Sequence, residues 1–191
     1  MVAFRESRTA KNLLISYAFE SQATTRYTFF ADQAARDGYI QVAGIFRETA
    51  GQECEHALRF FKFFNGGELE VTASFLTGVV KDTQANLVAA ADLEKYVHSD
   101  LYPGFAQVAR EEGLVRAADV WDAITVAEVR HEETFRELAE NVGTNRAFRR
   151  ESSCTWRCIN CGYIHEGSEA PEKCPACVRP SNYFEVFDPR F

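Results

Sequence analysis

The chain has 191 residues, enough for one full-sized core plus a small appended unit. Hydrophobic residues make up 46% and charged residues 26%, which sets aside a disordered chain and a membrane protein as leading classes. A net charge of −7, with no basic tract to offset it, argues against nucleic-acid binding by the chain as a whole.

The opening Met1-Val2-Ala3-Phe4-Arg5-Glu6-Ser7-Arg8 has neither the apolar core nor the small-residue cleavage site of a signal peptide. No apolar run approaches the roughly 20 residues that span a bilayer. The expected location is therefore the cytoplasm, with no membrane partner. From about Glu6 to Asn141, apolar residues recur every three or four positions, which predicts helices. The first carries Leu13, Leu14, Tyr17, Ala18, Tyr27, Phe30, Ala31 and Ala34 and ends before Gly38. The second runs from Gln41 to Asn65 and stops at Gly66-Gly67. A weakly helical stretch follows to about Thr83 and reads as a crossover. A third helix is expected from Gln84 to Glu112, kinked or divided by Pro103, and a fourth from Leu114 to Asn141. Two helical pairs joined by one long crossover predict a ferritin-like four-helix bundle over residues 1–145.

Residues 146–153, with Arg146, Arg149 and Arg150 among small and polar side chains, read as a linker. Over residues 154–191 the helical periodicity stops and Pro171, Pro175, Pro180, Pro189 and four clustered cysteines appear. A segment this short cannot bury enough apolar surface to fold unaided, so a metal is expected to hold it together.

Two Glu-x-x-His motifs fall on predicted helices, Glu53 with His56 and Glu128 with His131. A spacing of three places both side chains on one helical face, where they can grip one ion. Each remaining helix offers one acid near its apolar face, Glu20 and Glu94. Four glutamates and two histidines in this distribution are the ligand inventory of di-iron or di-manganese carboxylate bundles. The repeat suggests that Glu20, Glu53 and His56 favour one ion and Glu94, Glu128 and His131 the other, with Glu53 and Glu128 bridging. Glu55, Glu132 and Glu133 read as surface charges. Tyr27, two turns beyond Glu20, and Tyr102, beside Pro103, are candidates to hydrogen-bond a carboxylate ligand, with ordinary core packing as the alternative.

In the tail, Cys158-x-x-Cys161 and Cys174-x-x-Cys177 form two hooks that define a tetrahedral sulfur site for iron or zinc. Gly162 lets backbone N–H groups turn toward sulfur. A reducing compartment and paired hooks favour metal over disulfides. Cys54 and Cys154 read as a small helix residue and a free thiol.

Together these residues resemble rubrerythrin over essentially the whole length, a ferritin-like di-iron bundle followed by a rubredoxin-like domain. The resemblance implies two non-haem irons in the bundle, and at the cysteines one redox-active iron rather than zinc. It further implies reduction of hydrogen peroxide, often in a head-to-tail dimer. No nicotinamide fingerprint is present, so electrons are expected from a separate reductase. The chain departs from the family at one point: rubrerythrins typically carry a further carboxylate ligand three residues after the third-helix glutamate, and here that position is Val97. His98, on the same face as Glu94, is a candidate to swing toward the metals. A ferroxidase or O2-reducing oxidase is the alternative enzyme, and a non-catalytic electron-transfer or metal-sensing protein the alternative from another class.

Overall fold

The computed structural model describes residues 3–188, so Met1-Val2 and Pro189 of the readings above lie outside the described residues. Five helices build the first unit: α1 (Arg8–Arg36), α2 (Ile40–Phe61), α3 (Thr83–Tyr96), α4 (Tyr102–Glu111) and α5 (Val115–Gly143). Helix α1 lies against α2, and α3 with α4 lies against α5; residues 64–82 carry the chain between the pairs without regular structure. This is the ferritin-like bundle with one long crossover.

Local chemistry sets the helix ends. Ser7 Oγ accepts from Ala10 N–H (3.0 Å) and Asp82 Oδ1 from Ala85 N–H (2.8 Å), capping α1 and α3. Gly38 (φ 88°) and Gly113 (φ 75°) take the left-handed conformation that lets the chain reverse between paired helices. Two acids then tie α1 to the antiparallel α3–α4 rod. Asp37, at the end of α1, accepts from Thr83 N–H and Oγ1–H at the start of α3 (2.9 and 2.6 Å). Glu112, at the end of α4, accepts from Arg8 and Thr9 N–H and from Thr9 Oγ1–H at the start of α1 (3.1, 2.9 and 2.6 Å). Each carboxylate meets the positive end of a helix dipole.

The third helix, expected from Gln84 to Glu112 and kinked or divided by Pro103, is divided: two helices are joined by a π turn over Val97–Leu101. Tyr102 N–H bonds to Val97 O, five residues back, and Pro103, which has no N–H, starts α4. The extra residue matters for phase. Glu20 and Tyr27 are seven apart on α1, whereas Glu94 and Tyr102 are eight apart, so the π turn brings Tyr102 back to the face that Glu94 occupies.

Two apolar layers fill the bundle. One holds Tyr27, Phe30, Phe46, Leu87 and Phe135; the other holds Leu13, Phe60, Tyr102, Trp121 and Ile124. Along each long rod the acids of the expected cage fall between the layers: Glu20 between Leu13 and Tyr27, Glu53 between Phe46 and Phe60, Glu94 between Leu87 and Tyr102, Glu128 between Trp121 and Phe135.

The second unit is a three-stranded antiparallel sheet of order β2-β1-β3, from β1 (Arg149–Cys158), β2 (Ile164–Glu169) and β3 (Phe184–Val186). Strand β1 begins inside the stretch read as a linker. Arg149 pairs with Glu169 across an irregularity that ends at Cys154, and Arg150 lies over the Trp156 ring. Exposed polar side chains on this half of β1 hide it from a compositional reading. Tyr39, at the α1–α2 corner, stacks on Phe148 just ahead of β1 (5.9 Å, 9°).

Candidate metal centres

The two Glu-x-x-His motifs face one another across the polar slab in a near two-fold pattern. His56 Nδ1 lies 2.9 Å from Glu53 Oε2 and 3.0 Å from Glu128 Oε1. His131 Nδ1 lies 2.8 Å from Glu128 Oε2 and 3.0 Å from Glu53 Oε1. Each of these glutamates therefore offers one oxygen to each imidazole. Two clusters of donor atoms, each within 4.8 Å, result: Glu20, Glu53, His56 and Glu128, and Glu53, Glu94, Glu128 and His131. Glu53 and Glu128 belong to both.

The donors fit a pair of first-row cations. Ligands about 2.1 Å from an ion and at right angles stand about 3.0 Å apart, the spacing found here. Glu53 Oε1 and Glu128 Oε1 are buried and accept no hydrogen bond, although each lies 3.0 Å from an imidazole nitrogen. Buried carboxylate oxygens are costly unless a cation meets them, and here only the imidazoles or a metal ion taking their place can do so.

The electrostatics show the strain of gathering these groups without metal. Burial, reinforced by the charges of Glu128 and Glu53, pushes the Glu20 carboxyl well above the usual carboxylate range. Glu94 is raised in the same way, by burial and then by Glu53 and Glu128. Burial opposes charge on the imidazoles too, but Glu128 and Glu53 outweigh it, raising His56 to about 10 and His131 to about 9. Glu128 moves the other way, since the two imidazoles overcome its burial and hold it ionised.

The tyrosines cross the bundle. Tyr27 Oη donates to Glu94, not to Glu20 on its own helix, and Tyr102 Oη donates to Glu20. Burial, then the charge of the facing glutamate, raises both phenols well above their ordinary value, so they remain donors. Val97 is buried in the layer with Leu13 and Trp121 and places no carboxylate beside the cage. His98 points elsewhere than the sequence suggested: its Nε2 lies 2.6 Å from Glu132 Oε2. Glu132 is consequently not a free surface charge; it also accepts from Arg136 (3.0 Å). Glu55 and Glu133 are exposed.

Sequence reasoning missed Gln52, whose Oε1 lies 2.9 Å from His131 Nε2. Its place beside Glu53 was the available signal, but adjacent helical residues diverge by 100° and gave no reason to join it to the site. Gln52, His56, Arg130, His131 and Thr134 line a cleft of about 460 Å³ between α2 and α5. The imidazole edges thus meet a route from solvent.

In the second unit, all four thiols lie within 4.8 Å of one another, with Cys158 to Cys177 at 3.7 Å and Cys161 to Cys174 at 3.6 Å. Tetrahedral sulfurs about 2.3 Å from a metal stand about 3.8 Å apart. The two hooks repeat one geometry. Gly162 N–H bonds to Cys158 O (2.8 Å) and Val178 N–H to Cys174 O (2.9 Å), with positive φ at both residues. The turns aim the backbone N–H groups of Tyr163 at Cys161 and of Arg179 at Cys177. The Arg179 N–H pulls the Cys177 thiol down to about 6. Cys54 and Cys154 are free thiols.

Fold and donor sets define a class: a ferritin-like carboxylate bundle with a di-iron site, joined to a rubredoxin-like four-cysteine unit. Family models match on both parts, rubrerythrin over residues 11–139 and the rubrerythrin rubredoxin-like domain over residues 156–185. The chain belongs to the rubrerythrin family. It is 50% identical over 186 residues to the rubrerythrin of Nitratidesulfovibrio vulgaris, covering 97% of each chain. It is 48% identical to that of Porphyromonas gingivalis, over 96% of this chain and 92% of the other. Among solved structures, fully reduced, all-ferrous nigerythrin aligns with a TM-score of 0.64 at 32% identity, over 98% of this chain and 92% of that one. A Desulfovibrio desulfuricans bacterioferritin shares the bundle fold, with a TM-score of 0.67 at 19% identity over 74% of this chain and 84% of that one. No helix among the described residues is long and apolar enough to cross a membrane.

Proposed function

We propose that this chain is a non-haem di-iron peroxidase of oxidative-stress defence, reducing hydrogen peroxide to two waters with two electrons and two protons. Glu20, Glu53, His56, Glu94, Glu128 and His131 would hold two irons, and Cys158, Cys161, Cys174 and Cys177 a third. When bound, the iron pair would supply Lewis acidity and two electrons, and the iron on the cysteines would pass on their replacement from a separate reductase. The observation that carries the reading is the pair of donor clusters sharing buried Glu53 and Glu128 between two imidazoles, opening on a cleft that admits a small polar molecule.

The surrounding residues orient this chemistry. Tyr27 and Tyr102 each fix one oxygen of Glu94 and Glu20, and so the orientation of these carboxylates. The apolar layers on both sides exclude bulk water, so ionic contacts within the slab are strong. Protons enter from the cleft side, where His56 and His131 meet solvent. We place the protein in the cytoplasm as a homodimer or larger homo-oligomer, with the helical bundle and the four-cysteine unit, whose sheet begins at Arg149, as its two domains.

Anaerobic stopped-flow mixing of the reduced full chain with peroxide tests the reading. Complete oxidation of the iron pair by one equivalent within seconds is expected, and a centre that stays reduced for minutes rejects it. Val97 favours a second reading, an O2-reducing oxidase or ferroxidase, since it leaves six ligands and no further carboxylate. Faster oxidation by O2 than by peroxide in the same experiment selects that reading.

A further inference from the structure

The two halves of the cage carry matching ligands but unequal supports. Helix α5 repeats α2 at a fixed step in sequence, Glu53 corresponding to Glu128 and His56 to His131. The same step carries Gln52 onto Ala127 and Glu48 onto Ala123. Gln52 Oε1 is 2.9 Å from His131 Nε2, and Gln52 Nε2 is 3.4 Å from Glu48 Oε1. The Glu48 carboxylate accepts only, so it turns the amide nitrogen toward itself and the amide oxygen toward the ring. Among the described residues none accepts from His56 Nε2, and Ala127, which also lines the cleft, has no side-chain acceptor to offer.

An imidazole that ligates through Nδ1 must keep its proton on Nε2, and a fixed acceptor there sets the tautomer, locks the ring and raises ligand basicity. His131 has such an acceptor within the protein. His56, which lines the cleft, has none among the described residues. We propose that Gln52 is a positioning residue that makes the two metal positions unequal: it holds His131 Nδ1 aimed into the cage, so the ion on the Glu94–His131 side is retained longer than the ion on the Glu20–His56 side. The inference rests on the reading of the cage as a two-iron centre. It adds an order of loading and loss that the six ligands alone, being equivalent in kind, do not provide.

Iron release from the full chain tests it. Reduced protein carrying zinc at the four cysteines and ferrous iron in the bundle is challenged anaerobically with a chromogenic ferrous chelator. The parent is expected to release its iron in two phases of equal amplitude. Gln52→Leu accelerates the slow phase about 10- to 100-fold, the usual effect of removing an outer hydrogen-bond partner, and merges it with the fast one. Gln52→Glu keeps an oxygen at the same reach and keeps the slow phase. A spectroscopic readout accompanies the kinetics: one slowly exchanging, paramagnetically shifted imidazole N–H in the parent and in Gln52→Glu, absent in Gln52→Leu. A single release phase in the parent, no change in Gln52→Leu, or equal changes in both variants overturns the proposal while leaving the di-iron reading intact. A parent bundle that binds fewer than two irons fails that reading, and this inference with it.

Discussion

The metal-free cage is expected to be filled with protons that iron must displace. Glu20, Glu53, Glu94 and Glu128 are each 4% exposed or less, and four ionised carboxylates there without counter-charge would cost several kcal/mol apiece. Compensation comes from protons. His56 and His131, raised to about 10 and about 9 by Glu128 and Glu53 against the pull of burial, are cationic at pH 7. Burial also shifts Glu20 and Glu94 toward their protonated forms. Iron requires the Nδ1 lone pairs and the ionised carboxylates, so loading the pair at pH 7 should release at least the two imidazole protons. By linkage, overall affinity for the pair should rise by at least about two decades per pH unit between pH 6 and 8 and fall correspondingly in acid. Anaerobic calorimetric titration of the metal-free bundle in buffers of different ionisation enthalpy counts these protons directly. Release of fewer than about two per iron pair refutes the charge balance described here. The imidazole ion pairs also stabilise the metal-free chain: their contribution is fully present below pH 6.5 and is lost as pH rises through about 9 for His131 and about 10 for His56.

Two further outcomes concern the frame around the sites. Glu112 is held at about 2, since hydrogen bonds from Thr9 and Arg8 outweigh its burial, and its side chain is 18% exposed. Relative to an ordinary 4.5 this sets a ceiling of about 3 kcal/mol. Glu112→Gln should therefore destabilise the metal-free chain by about 2 kcal/mol at pH 7 in denaturant unfolding. The depressed value places this stabilisation above pH 4.5, and it is lost as pH falls through about 2, so parent and variant should converge in acid; a constant gap across that range contradicts the assignment. In the second unit, Val178 holds φ at 63°, a conformation that costs a residue with a Cβ about 1–2 kcal/mol and is least suited to a β-branched one. Val178→Gly should raise the denaturant midpoint of the four-cysteine chromophore by the equivalent of about 1 kcal/mol, less being gained because glycine loses more chain entropy on folding. An unchanged or lower midpoint would show that the turn is not strained.

What the sequence by itself determined was whatever local spacing encodes. Glu-x-x-His places two ligands on one turn, Cys-x-x-Cys places two sulfurs on one loop, and glycines with an apolar period mark four rods and a long crossover. These patterns sufficed for the bundle and the four-cysteine cluster and pointed to the six side chains that the structure gathers between the apolar layers, because each depends on neighbours a few positions apart. The tertiary structure alone decided how the halves cross. Tyr27 reaches Glu94 rather than Glu20, His98 turns to Glu132, Gln52 supports His131, and Glu112 and Asp37 clasp the starts of α1 and α3. Those partners come from different helices, and no periodicity within one helix records which side chain will face it across a packed interface. The π turn belongs to the same class: Pro103 announced a break, but only the packing of Tyr102 against Glu20 shows that one extra residue was taken up to restore the phase.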